Sequence, residues 1–160
     1  MRQSSEIQFT VPIPAPGEGK RGESGHLGYL LRQAGATHRL RMERALSGLD
    51  MTPPQFVVLT MIQAYPGLSN AGLARLAFLT PQTTSLIVAN LLKAGLILRQ
   101  AHPVHGRILQ MELTELGRDR LRAARERALA LEAELMEGFS PEDEAVVRRW
   151  LVRVATARTA

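Results

Sequence analysis

The sequence predicts a mainly α-helical fold with a helix-turn-helix, a small β-hairpin wing, and flanking N- and C-terminal helices. Between Ser69 and Gly95, two apolar patterns at helical spacing are separated by a short break, and a capping residue precedes each pattern. Two short apolar runs follow Gly95, joined by a tip that contains Pro103 and Gly106, which is typical of a β-hairpin. Together these elements describe a winged helix-turn-helix.

Composition limits the classes of protein that need to be considered. The 160 residues are enough for one domain, and 20 Lys and Arg against 15 Asp and Glu give a net charge of +5, which permits a polyanionic partner. The chain has no cysteine, which excludes disulfides and thiolate catalysis. No apolar run reaches the length of a membrane span, and the N-terminus lacks the apolar core of a signal peptide. We therefore expect a cytoplasmic protein that does not contact a membrane.

The chain divides into an arm and one domain. Residues 1–24 are rich in proline and glycine, and we expect a flexible N-terminal arm there without a fixed helix. Residues 25–160 form the predicted domain, which begins with a helix over about 25–47. His38 interrupts the apolar stripe of that helix. A buried histidine with a hydrogen-bond partner is the usual explanation, and a ligand or subunit contact is the alternative.

The first of the next three helices should be central, and the other two form the predicted helix-turn-helix. Thr52 and Pro53 start a helix that is apolar nearly all round and should be central. Ser69 caps a short helix, and Thr80 caps the recognition helix, which runs to Gly95. Its predicted core positions are Thr84, Ile87, Val88 and Leu91, and its other face carries Gln82, Thr83, Ser85, Leu86, Ala89 and Asn90. Small hydrogen-bonding side chains suit a helix that approaches base edges, although such a face can also simply meet water.

The wing and two further helices complete the domain. Residues 96–98 and 108–113 are the predicted strands, and Thr114 caps a long helix to about Glu137 that tolerates Gly117 inside it. The many arginines of that helix are typical of a charged surface. Ser140 starts the last helix, whose apolar face must fold back on the chain or pair with a second subunit. That face consists of Val146, Val147, Trp150, Leu151 and Val154.

From about Gly25 to its C-terminus the chain resembles the MarR family of bacterial transcriptional regulators. The resemblance rests on three segments: LDMTPPQFVVL at 49–59, LARLAFLTPQTTSLIVANLLKAGLILR at 73–99, and GRILQMELTELG at 106–117. One position departs from the family pattern, because His105 stands where the wing usually has an acidic residue two positions before the arginine that matches Arg107. A neutral histidine can accept the same hydrogen bond, and a charged one can meet phosphate.

The resemblance implies a homodimer that binds a palindromic operator in double-stranded DNA. Dimerisation helices over about 25–47 and 114–157 would flank a winged helix over about 50–113. Gln82, Thr83 and Ser85 would read bases directly, and Leu86 would pack on a thymine methyl. Arg107, beside His105, would enter the minor groove. The residues expected to anchor phosphates are Ser69, Asn70, Arg75, Thr80, Asn90 and Arg99.

The resemblance also implies a repressor that a small effector, such as an aromatic acid, releases from DNA. No cofactor is expected. The effector would bind where the dimerisation helices meet the winged helix. The residues that could line this site are His38, Arg39, Arg41, Met42, Phe56 and Thr60.

Three other functions can be weighed from the residues. Catalysis is disfavoured, because the chain has no nucleophile elbow, no glycine-rich phosphate loop and no cysteine to pair with a histidine. A metal-responsive regulator could use His102 and His105, but no cysteine or carboxylate pair completes a tetrahedral set, and no metal site is expected. The third function is that of a winged helix that binds only proteins. A test of binding to random duplex DNA at low salt would distinguish this function from that of a DNA-binding regulator.

Overall fold

A computed structural model describes residues 12–101 and 109–157 and contains the predicted winged helix-turn-helix. Its chain contacts define two compact units, with the boundary between Leu40 and Arg41. None of the helices in these ranges is both long and apolar enough to cross a membrane. The main elements are α1 (Leu27–Ser47), α2 (Pro53–Ala64), α3 (Asn70–Leu76), α4 (Pro81–Lys93), β1 (Ile97–Ala101), β2 (Leu109–Leu113), α5 (Glu115–Leu135) and α6 (Pro141–Thr156).

The part of the predicted arm that the structure describes is folded, which differs from the flexible arm that the sequence predicts. A short 3-10 helix spans Gly19–Arg21. The Arg21 side chain donates hydrogen bonds to the Pro14 carbonyl at 2.7 Å and to Gln33 Oε1 of α1 at 3.2 Å. Gln33 Nε2 donates in return to the Arg21 carbonyl at 3.1 Å. These bonds hold the turn against α1, whereas residues 1–11 of the predicted arm lie outside the described ranges.

The core of the second unit is organised around α2, as its apolar sequence predicts. Thr52 and Gln55 form a reciprocal capping box at the start of this helix, and Pro53 follows the cap. Both Val58 and Leu59 are fully buried. The other elements contribute Met42, Leu46, Leu73, Ile87, Val88, Leu91, Ile97, Leu113, Leu121 and Ala124 to the same cluster.

The predicted caps of the helix-turn-helix are confirmed. Ser69 Oγ accepts from the Gly72 amide at 3.1 Å, and Thr80 Oγ1 accepts from the Thr83 amide at 3.1 Å. Helix α4 ends at Lys93, and Gly95 follows with φ +68°, the left-handed conformation expected there. Each cap satisfies an amide that would otherwise lack a partner in the first turn, so both helices start where the sequence predicts.

The wing is an antiparallel pair with the register Ile97↔Leu113 to Ala101↔Leu109. Its first strand therefore starts one residue later than predicted and extends further. The reason is that the Leu96 amide, beyond the end of α4, donates to the Leu91 carbonyl of that helix at 3.0 Å. The tip, with His102, His105 and Arg107, lies outside the described residues.

The junction between the wing and α5 requires glycine at position 117, where the sequence predicts only that glycine is tolerated. Thr114 Oγ1 donates to the Gly95 carbonyl at 2.6 Å and accepts from the Gly117 amide at 3.0 Å. The Thr114 amide donates to the Leu96 carbonyl at 3.0 Å. The first turn of α5 is thereby held so close that a Cβ on Gly117 would lie 1.9 Å from the Leu96 carbonyl oxygen. Only glycine fits at this position without a backbone shift.

Arginines of α5 do more than form a charged surface. Arg120 Nη1 donates to the Leu49 carbonyl and Arg127 Nη1 to the Ala45 carbonyl, each at 2.8 Å. Carbonyls at the C-terminal end of a helix lack partners within that helix and carry partial negative charge. The two arginines therefore cap the end of α1 and the connection to α2.

The last helix begins as predicted and presents apolar side chains at its surface. Ser140 and Asp143 form a capping box, and Pro141 is the first helical residue. Val147 is half-buried. The exposed apolar residues of α6 are Val146, Trp150, Leu151, Val152 and Val154.

Candidate nucleic-acid interface

Helix α4 has the two faces that the sequence predicts. Thr84, Ile87, Val88 and Leu91 are buried. The opposite face exposes Gln82, Thr83, Ser85, Leu86 and Asn90, and the helix contains no acidic residue. A solvent-exposed helix with hydrogen-bonding side chains and no negative charge is suited to a major groove.

The hydroxyl of Thr80 holds the start of this face in one geometry. Besides accepting from the Thr83 amide, Thr80 Oγ1 lies 2.9 Å from Thr83 Oγ1, so the two hydroxyls share a hydrogen bond. Buried Thr84 Oγ1 donates to the Thr80 carbonyl at 3.0 Å. The Thr83 side chain is thus oriented by the cap while it remains exposed to a ligand.

Asn70 and Ser85, which were predicted to have separate roles, contact each other. Asn70 Nδ2 donates to Ser85 Oγ at 2.7 Å, and Ser85 Oγ donates to the Pro81 carbonyl at 2.9 Å. Asn70 Oδ1 is buried and has no hydrogen-bond partner in the described ranges. The pair links the start of α3 to the first turn of α4, so it can set the angle of the recognition helix.

Three of the predicted phosphate contacts lie around one depression. This cavity of about 310 Å³ is lined by Leu68, Ser69, Asn70, Arg99 and Met111. Arg99 reaches it from β1, opposite Met111 in the sheet register. The fold therefore places an arginine beside the start of α3, where helical amides also face outward.

Arg75 and Asn90 do not line that depression. Arg75 is exposed in the last turn of α3, and Asn90 is exposed in the second half of α4. The wing residues His105 and Arg107 lie outside the described ranges, so their minor-groove role stays a prediction.

Sequence reasoning missed Phe78, in the turn between α3 and α4. This residue is 91% exposed, and its backbone has φ +53°. Left-handed backbone favours glycine, because a Cβ is crowded there. A bulky residue in so tight a turn was the signal in the sequence that could have drawn attention to it.

The predicted effector residues differ in the contacts that they already make within the chain. His38 and Arg39 belong to the first unit, and the other four belong to the second. His38 is half-buried, and its Nδ1 has no hydrogen-bond partner within the described residues. Arg39 is exposed, and it is not free, because it already takes part in an interaction within the chain.

In the second unit, Arg41 forms an ion pair with Glu134 of α5. Met42 is buried, and Phe56 packs against the core. The Thr60 hydroxyl donates to the Phe56 carbonyl at 2.8 Å. Of these four residues, only Arg41 offers a charged group to an acidic ligand.

No cluster of three His, Cys, Asp or Glu side chains within residues 12–101 and 109–157 is arranged to hold a metal ion. His26 is exposed at the start of the first unit. The wing histidines, His102 and His105, lie outside these ranges.

Comparison with known proteins agrees with this geometry. Residues 51–109 match the model of the MarR family. The chain is 36% identical over 130 residues to the HTH-type transcriptional repressor Rv2887 of Mycobacterium tuberculosis, an alignment that covers 81% of this chain and 94% of the relative.

Solved structures of that relative are also similar. Its complex with salicylic acid aligns with a TM-score of 0.67 at 36% identity, covering 82% of this chain and 98% of the other. Its complex with DNA aligns with a TM-score of 0.65 at 32% identity, covering 82% and 99%. Together with the winged helix and its recognition face, these similarities show that the chain belongs to the MarR family.

Proposed function

We propose that this chain is a homodimeric repressor that binds a palindromic DNA operator and is released by a small aromatic acid. The observation that carries the proposal is the exposed face of α4, which is mostly polar, free of acidic residues, and held in place by the Thr80 cap. The protein acts in the cytoplasm, through binding and without catalysis. A crystal structure of its relative Rv2887 in complex with DNA is known.

Dimer formation is supported by the surface of α6. Several large apolar side chains of this helix, among them Val146 and Val154, are exposed in the single chain. An amphipathic terminal helix gains stability when a second copy covers such a face. A two-fold dimer places its recognition helices in successive major grooves, about 10 base pairs apart.

The contacts of the described residues suggest which of them read bases, which orient α4 and which bind phosphates. Gln82, Thr83 and Leu86 read base edges, since their side chains are exposed on the first half of α4. Asn70 and Ser85 orient α4 through their mutual hydrogen bond. The residues assigned to phosphates are Ser69, Asn70, Arg75, Thr80, Asn90 and Arg99, with Arg107 and His105 acting from the wing.

The decisive experiment is selection of bound duplexes from a random library, followed by affinity measurements at physiological salt. We expect the selected operator to bind at least about 10³-fold more tightly than random duplex. Equal affinity for all duplexes would contradict sequence-specific binding. No binding even to random duplex at low salt would instead favour a winged helix that binds proteins.

Substitution of the base-reading residues should reduce discrimination rather than general affinity. For Gln82→Ala and Thr83→Ala, we expect a loss of about 1–3 kcal/mol of preference at one operator position each, because one base contact disappears. Fluorescence anisotropy on a set of single-base-pair operator variants measures this preference. The control is Lys93→Ala, at the exposed end of α4, which should leave the ranking of the variants unchanged. An unchanged ranking with both test variants would show that α4 enters the groove in another orientation.

The Arg41–Glu134 ion pair suggests how an acidic effector could bind. Arg41 already holds a carboxylate, so the carboxylate of an aromatic acid could replace Glu134 at this arginine while its ring is buried against apolar side chains. Two structures of Rv2887 contain salicylic acid or p-aminosalicylic acid. A ligand that binds the DNA-incompetent state tenfold better shifts the equilibrium by about 1.4 kcal/mol.

A panel of aromatic acids and their thioesters tests this site by thermal shift and DNA release. We expect Arg41→Ala to weaken binding of the active acid by about tenfold or more, since a charge-assisted pair is lost. Arg122→Ala is the matched control, because that arginine pairs with Asp119 on the exposed surface of α5. DNA release that survives Arg41→Ala would place the effector elsewhere.

A further inference from the structure

Phe78 occupies a position that neither its backbone conformation nor its packing favours. At φ +53° a phenylalanine is strained, whereas glycine or asparagine would be tolerated. The residue is 91% exposed, so its ring contacts almost nothing in the part of the chain that the structure describes. Residues held in strained backbone conformations cluster at functional sites.

The turn that carries Phe78 is well defined and adjoins the recognition helix. The Phe78 amide donates to the Arg75 carbonyl at 3.4 Å, and the Leu79 amide donates to the Ala74 carbonyl at 2.9 Å. Thr80, the cap of α4, follows two residues later, and exposed Arg75 lies three residues earlier. Phe78 is thus the apolar group between two side chains that suit phosphate.

We propose that Phe78 packs against the deoxyribose groups of the DNA strand at the rim of the major groove. The inference rests on the proposed function, because it requires the first turn of α4 to lie in that groove. A turn that precedes the first helical residue then faces the strand that borders the groove. Apolar C–H groups of the sugars are the part of that strand that a phenyl ring can bury.

A sugar contact differs from the other contacts of this interface in two measurable ways. It carries no base information, so its loss lowers affinity equally for every operator variant. It neutralises no phosphate, so its loss leaves the dependence of affinity on salt unchanged, whereas loss of an arginine contact reduces the slope.

The test uses the full chain with Phe78→Gly and Phe78→Asn, both of which accept left-handed backbone. We expect the melting temperature to rise by about 2–4 °C as strain is relieved. Operator affinity should fall by about tenfold, as apolar contact is lost. Phe78→Tyr keeps the ring and should retain affinity. Tyr65→Ala removes another exposed aromatic ring, outside the helix-turn-helix, and should change nothing in DNA binding.

Each contrary result has a distinct meaning. If the wild-type chain shows no operator preference, the proposed function fails and this inference fails with it. If the wild-type chain binds its operator but Phe78→Gly and Phe78→Asn bind equally well, only the inference about Phe78 is overturned. A loss confined to certain base pairs, or a fall in melting temperature for both variants, would also overturn it, because the ring would then contact a base or the chain itself.

Discussion

Replacement of Gly117 by alanine is expected to destabilise the protein by about 3 kcal/mol, the upper end of overpacking costs. The added Cβ would lie 1.9 Å from the Leu96 carbonyl oxygen, and that carbonyl also accepts the Thr114 amide. The Leu96 carbonyl is backbone and cannot rotate away as a flexible side chain would, so relief requires the backbone at Leu96 and the first turn of α5 to move apart. Urea unfolding followed by circular dichroism measures the loss.

Gly95→Ala is the matched control, since Gly95 belongs to the same junction. Its backbone is left-handed at φ +68°, but a Cβ there would meet nothing within 4 Å. The control therefore carries conformational strain without a clash, and we expect a cost of about 1–2 kcal/mol. Equal costs for the two variants would show that the close approach at Gly117 is not what requires glycine.

Charges placed on the exposed apolar face of α6 are expected to abolish the dimer and most of the DNA affinity. Val146 and Val154 are 54% and 42% exposed in the single chain. In the double variant Val146→Glu, Val154→Glu, desolvation of two carboxylates opposes association. Operator affinity should fall by about 10²–10⁴-fold, because the two winged helices no longer bind as one unit.

Analytical ultracentrifugation at micromolar concentration, paired with operator binding, measures this effect. The control is Arg149→Ala, an exposed polar position of the same helix, which should leave both assembly and affinity intact. Wild-type protein that sediments as a 17.6 kDa chain would contradict the proposed homodimer. A dimer that survives the double variant would show that another surface joins the subunits.

The sequence by itself determined the elements and the recognition face, because their signals are local. Thr80 followed by Pro81 predicted where α4 begins, and Gly95 predicted how it ends. Helical spacing alone placed Thr84 in the core and Leu86 in solvent, as the structure confirms. Each of these inferences depends on residues within a few positions of one another, where capping and periodicity are decisive.

The tertiary structure alone decided which of the polar and small residues act together. Asn70 binds Ser85 across 15 positions, and Arg120 binds the Leu49 carbonyl across 71. Gly117 is required because it lies against the carbonyl of Leu96, which precedes the wing, whereas Gly117 follows it. The spacing of residues along one helix does not indicate this contact. Side-chain hydrogen bonds and close backbone approaches depend on how distant elements pack, and local propensity does not encode that packing.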